Sequence, residues 1–156
     1  MSTTTLQYLE IDLGNLSCSS FILSTILSSG GRFESATKLQ KLAFLSIYEN
    51  GLEHFTDFKW HHYGPFSKEL QDTVSMLSNE DLIVEESINR TSYSGKPYTI
   101  TRLSLTPRGY EMAKKAMEEI TAKNKKALFE TMDKYSCKPL SKILEYVYNA
   151  YNPEDL

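Results

Sequence analysis

Residues 63–84 read YGPFSKELQDTVSMLSNEDLIV, and the fold depends on how this run divides. Gly64-Pro65 interrupts whatever precedes it, because proline fixes φ and biases the residue before it away from the helical region. Ser67 then stands as an N-cap whose hydroxyl can accept from an orphan amide of a first turn. Leu70, Thr73, Val74 and Leu77 follow at helical spacing and give one apolar face. The helix ends near Asn79, and Leu82-Ile83-Val84 is a short run with β-branched residues that reads as the start of a strand. The stretch is a turn, a helix and the entry to a sheet.

Toward the C terminus, residues 82–88 and 98–105 form a hairpin, with Leu82, Val84 and Ile88 on one face of the first strand and Leu103 and Leu105 inside on the second. Residues 89–97, NRTSYSGKP, are polar and too long for a tight turn, and Gly95 and Pro97 are their turn residues. Thr106 caps a helix with Pro107 at its first position. Gly109 is a poor helix former in that first turn and points to close packing against a neighbour. This helix is expected to run to about Tyr135. Tyr110, Ala113, Met117, Ile120, Asn124, Ala127 and Thr131 make a heptad-like stripe along it, read either as a dimer seam or as a face packed on its own domain. Pro139 starts a last helix with Leu140, Ile143, Leu144, Val147 and Tyr151 on one side.

Toward the N terminus, Phe58, Trp60 and His62 alternate with Lys59 and His61 and read as a short strand. A helix from Ser35 or Thr37 carries Leu39, Leu42, Ala43, Ile47 and Tyr48 inward, with Lys38 and Lys41 on its outer side, and stops at Asn50-Gly51. Before it, Phe21, Ile22, Ile26 and Leu27 suit a short helix ended by Gly30-Gly31. Residues 1–17 alternate weakly around Leu6, Leu9, Ile11 and Leu13, which suggests a frayed start with a short packed segment.

The chain has 156 residues, 40% hydrophobic, with ten tyrosines; this fits one compact domain with a real core. No segment approaches the roughly 18 apolar residues that span a bilayer. No lysine or arginine precedes the apolar run at Phe21, so a secretory signal is not expected and the cytoplasm is. Cys18 and Cys137 form no CxxC pair. His61 and His62 would point to opposite faces of a strand, and His54 is the only other histidine, so no metal site is expected. No phosphate loop and no Ser or Cys nucleophile beside a histidine is recognisable, so neither catalytic residues nor a cofactor is implied. The net charge of −3 gives no global attraction to nucleic acid. Residues 107–142 nevertheless carry nine Lys or Arg against five Asp or Glu.

The order of elements resembles winged-helix regulators. The step Leu103-Ser104-Leu105-Thr106-Pro107-Arg108-Gly109 is similar to the passage from the last wing strand to a C-terminal helix in PadR-like and MarR-like proteins. A closer resemblance is to winged-helix proteins of the archaeal and bacterial YwgA-like type, distantly similar to the Panacea domain of SocA-like antitoxins. KLQKLAFL at 38–45, YGPFS at 63–67 with Leu70 and Leu77, and ILEYVYNAY at 143–151 carry it. It implies an α+β fold: a winged helix-turn-helix with a two- or three-stranded antiparallel sheet and a C-terminal helical extension. The division would be an N-terminal segment at 1–18, a winged-helix domain at 19–106 and helices at 107–156.

Two functions follow as expectations. The first is a dimeric transcription regulator binding duplex DNA. Lys68, Gln71, Asp72, Ser75 and Asn79 would face base edges. Arg90, Lys96 and Arg102 would meet phosphates from the wing, and Lys38 and Lys41 would touch the backbone. Tyr110, Met117, Ile120 and Asn124 would form the dimer interface. The second is a protein-interaction module, antitoxin-like or an adaptor, on the same scaffold without nucleic-acid binding. The acidic residues Glu69, Asp72, Glu80 and Asp81 and the tyrosine-rich last helix favour it.

Overall fold

A computed structural model describes residues 16–156; the expected packed segment around Leu6 to Leu13 lies outside the described residues. Six α-helices alternate with two small antiparallel sheets in these residues, an α+β arrangement. The elements are α1 (Cys18–Ser28), β1 (Arg32–Phe33), α2 (Ala36–Tyr48), β2 (Lys59–His61), β3 (Gly64–Phe66), α3 (Lys68–Asn79), β4 (Ile83–Thr91), β5 (Pro97–Leu105), α4 (Pro107–Glu119), α5 (Ala122–Tyr135) and α6 (Leu140–Ala150). A 3-10 turn at Pro153–Asp155 closes the chain.

Helix α1 is the centre of the core. Phe21, Ile22, Leu23 and Ile26 are buried with Ser24 and Thr25, the pattern of a helix surrounded on nearly all sides. It packs along α4 and reaches α3 and β5. Helix α5 lies on α2, and Leu128, Met132, Ile143 and Val147 join the same buried cluster as Phe21 and Leu39. The C-terminal helices therefore complete the core that residues 16–106 begin.

The three-stranded sheet runs in the order β1-β5-β4. Its register pairs Ile83 with Leu105, Glu85 with Leu103 and Thr91 with Pro97. This reverses the face expected for the first strand: Ile83 is buried and Val84 is half exposed. The cause is the end of α3. Asp81 adopts φ 62, and Leu82 donates its amide to the Leu77 carbonyl at 2.9 Å. Leu82 belongs to that closing turn, and the strand starts one residue later. A one-residue shift moves every side chain to the other face.

Two further expectations are corrected. Residues 64–66, read as a turn, form strand β3, which pairs with β2 in the register Lys59 to Phe66 and His61 to Gly64. The long helix from Pro107 is two helices. Ile120 is extended (ψ 136) and turns into the core. Thr121 then caps α5 by accepting from the Asn124 amide at 3.2 Å. Ala113 of the stripe is buried on α4 and Asn124, Ala127 and Thr131 on α5, whereas Tyr110 is exposed, and the threonine between the helices starts a new one.

Candidate functional site

Ser67 sets the position of α3. It is fully buried, and its hydroxyl accepts from the Leu70 amide at 3.0 Å and meets Thr56 Oγ1 at 2.6 Å. Its backbone amide donates to Gln40 Oε1 at 2.8 Å, and its carbonyl accepts from Gln40 Nε2 at 2.9 Å. Lys41, next to it on α2, donates Nζ to the Pro65 carbonyl at 2.7 Å. Two consecutive polar side chains of α2 thus hold β3 and the start of α3, while Leu70, Val74 and Leu77 seat the helix.

The opposite side of α3 faces out. Beside it, α3, the β2–β3 hairpin and residues 54–57 enclose an open groove of about 840 Å³. Its aromatic lining is Phe55 and Phe66, with His61 tilted on Phe66 at 4.9 Å. Lys59, Lys68, Glu69 and Asp72 bring charges of both signs to it. Glu69 accepts from the Cys18 thiol at 3.2 Å. Burial, reinforced by this carboxylate, pushes the Cys18 thiol up to about 12, so the cysteine stays a neutral donor. Cys18 and Cys137 are both free. A smaller cavity of about 320 Å³ lies between α2, the β2–β3 turn, α3 and the sheet, with Gln71 on its wall.

The residues expected to bind DNA divide into three groups. Lys68, Gln71 and Ser75 do share α3, but Lys68 is tied to Asp72 at 2.8 Å. Arg90 and Arg102 both turn to Glu34, each at 3.3 Å, and Arg102 also reaches Glu86 at 3.6 Å. Lys96 lies exposed between β4 and β5 with no ion pair among the described residues. Lys38 and Lys41 do not reach outward. Lys38 donates Nζ to the Ser136 carbonyl at 2.5 Å, and burial lowers its pKa. Lys41 is 1% exposed, and burial brings its ammonium down to about 8. The outer-face assignment of these two lysines fails because each ammonium is held by a backbone carbonyl of a distant segment, that of Pro65 buried and that of Ser136 half-buried.

The expected dimer seam is also dispersed. Tyr110 is exposed under the Lys114 ammonium, 5.0 Å from its ring centre, and Met117 is half-buried against the core. Ile120 is buried, and so is Asn124, which accepts from the Glu53 amide at 3.0 Å. A residue already bonded inside its own chain cannot fix the register of a partner.

Glu34, Glu49 and the aromatic groove were not legible as functional residues. Glu49 accepts hydrogen bonds from Tyr135 and Tyr146 and pairs with Lys134 at 3.5 Å. Burial opposes its charge, but the two hydroxyls and the lysine hold its pKa below the usual carboxylate range. These residues converge from the cap that ends α2, from α5 and from α6, with no spacing that announces it. Phe55 lies in a loop, where no periodicity marks a single aromatic residue. Among the described residues no cluster of His, Cys, Asp or Glu could hold a metal ion, and no helix is long and apolar enough to cross a membrane. No family model, curated protein or solved structure matches the chain.

Proposed function

We propose that the chain is a protein-interaction module on a winged-helix scaffold of the YwgA-like type, in which α3 and the groove beside it receive a segment of a partner protein. The observation that carries this reading is the internal pairing of the cations that DNA would need. Lys68, Arg90 and Arg102 each have a carboxylate within 4 Å, and residues 67–106 contain four Lys or Arg against six Asp or Glu. Phosphate contacts dominate affinity for duplex DNA, and this segment of the chain has no excess of positive charge to supply them. An aromatic floor with a rim of mixed charge has instead the anatomy of a protein interface. The partner segment that suits it carries an apolar anchor side chain for the floor and flanking charges of both signs.

Site-directed photocrosslinking tests this in cells. A photoreactive residue at Gln71 or Ser75 is expected to trap the same discrete protein, and one at exposed Glu130 on α5 is not. Adducts no different from the Glu130 control, or adducts to nucleic acid, would reject the reading.

Duplex DNA binding as a regulator is the second reading, supported by Lys96 at the tip of the hairpin and by the passage from α3 directly into β4. On it, Gln71 and Ser75 would read bases and the wing would hold phosphate.

A further inference from the structure

Strand β4 has a sheet neighbour on one side only, and the direction of its unpaired backbone groups follows from two hydrogen bonds. Leu105 donates its amide to Gly31, on the β1 side of β5, whereas Thr106 donates to Leu82, on the β4 side. Direction alternates along a strand. Ser104, Arg102, Ile100 and Tyr98 therefore exchange hydrogen bonds with Val84, Glu86, Ile88 and Arg90, their partners in register. Pro97, which has no amide to give, falls on the side turned away from β4, opposite Thr91. Glu85, Ser87, Asn89 and Thr91 then direct their amides and carbonyls off the free edge. None of those amides has a hydrogen-bond partner among the described residues. Such an edge is a template for another strand.

The side chains of this edge are self-complementary. Val84, Glu86, Ile88 and Arg90 share one face, with Ile88 opposite Ile100 on β5, and both isoleucines are half-buried. We propose that a second copy of this chain pairs antiparallel along β4, with the two-fold axis through Ile88. In this register Glu86 of each copy lies opposite Arg90 of the other, and the isoleucines make a continuous row across the joint. Ser87 pairs with Asn89 and Glu85 with Thr91 through the unpaired backbone groups. Glu86 and Arg90 occupy non-hydrogen-bonded pairs, where facing side chains come closest.

Neighbouring registers fail on charge. Moving the axis to Glu86 or to Arg90 sets like charges opposite each other, and moving it to Ser87 or Asn89 sets Ile88 against Glu86 or Arg90. A single closed contact that uses the same patch on both partners is the usual geometry of a homodimer. This association does not depend on what α3 binds, and it replaces the seam of Tyr110, Met117, Ile120 and Asn124 with a sheet edge. Glu34 and Arg102, which contact Arg90 and Glu86 inside the chain at 3.3 and 3.6 Å, extend the charge pairs into a network across the two copies.

Analytical ultracentrifugation of the full chain over a concentration series tests the proposal. The wild-type mass is expected to rise toward two chains. Glu86→Arg and Arg90→Glu are each expected to stay at one chain, because each puts like charges at both contacts. Mixed in equal amounts, they are expected to dimerise, since at both contacts an arginine of one variant then faces a glutamate of the other. Ser87→Pro removes an outward amide without touching the β4–β5 ladder, and its mass is expected at one chain with an unchanged circular dichroism spectrum. A wild-type mass of one chain at every concentration, a dimer in either charge variant alone, or a mixture that stays monomeric would each overturn the proposal.

Discussion

Gln40 and Ser67 are joined by two hydrogen bonds through which a side-chain amide imitates a backbone partner, at 2.8 Å to the Ser67 amide and 2.9 Å to its carbonyl. Both residues are buried, so no water replaces the amide if it is lost. Gln40→Leu leaves a donor and an acceptor unsatisfied and is expected to cost about 2–6 kcal/mol, since each orphaned group costs roughly 1–3. Urea unfolding measures the loss, and hydrogen exchange at the Ser67 amide is expected to accelerate. A change below about 0.5 kcal/mol, the size expected of a surface substitution, would mean that this link does not position α3.

Gly109 allows α4 to cross the corner between α3 and β4. A Cβ at this position would lie 1.7 Å from the Leu82 carbonyl oxygen, which also accepts from the Thr106 amide. Neither backbone can yield without breaking that bond. Gly109→Ala is therefore expected to destabilise the fold by at least about 3 kcal/mol, the upper range for overpacking. Thermal unfolding checks it, with Lys115→Ala on the exposed side of α4 as a control near wild type.

Lys41 gives the fold a pH dependence of known sign. Burial holds its pKa near 8, below the ordinary 10.5 of the unfolded chain. Between those values the unfolded chain binds the proton and the folded chain does not, so this group's contribution to stability rises with pH. Cys18 acts in the opposite direction above pH 9, because its raised pKa keeps the folded thiol protonated where the unfolded one ionises. The difference between wild type and Lys41→Met separates the two. The stability of wild type relative to this variant is expected to rise from pH 8 to 10.5, where the folded lysine has lost its proton and the unfolded one still binds it. Parallel stability profiles would contradict the assignment.

Thr121 is the residue that divides the C-terminal helices. Its hydroxyl accepts from the Asn124 amide, and Thr121→Ala is expected to cost about 1 kcal/mol. Restoring a continuous helix would pull Ile120 out of the core, so the loss is not recovered through helix propensity. Equilibrium denaturation measures it.

The fold was legible in the sequence where local chemistry decides it. Ser67 and Thr106 cap α3 and α4 as their positions imply, and Gly109 packs closely as its place in a first turn suggests. Errors arose where a distant partner decides. Lys38 and Lys41 look solvent-facing by helical spacing, yet Ser136 and Pro65, far off in sequence, take their ammonium groups. Asn124 reads as a seam residue until Glu53 accounts for it. The face of β4 was inverted by one left-handed residue, Asp81. At the candidate site, the α3 residues were found in order, but the carboxylate that gathers Arg90 and Arg102 belongs to Glu34, before α2. Nothing in its local sequence points to the β4–β5 hairpin.

Whether the α3 face meets protein or duplex DNA is decided by binding of mixed-sequence genomic duplex to the full chain across a salt series. A protein-binding face is expected to show no retention even at low ionic strength, and no difference between wild type and an Arg90→Ala/Lys96→Ala variant. Retention that weakens linearly with the logarithm of salt concentration, and that the double variant loses, would contradict it.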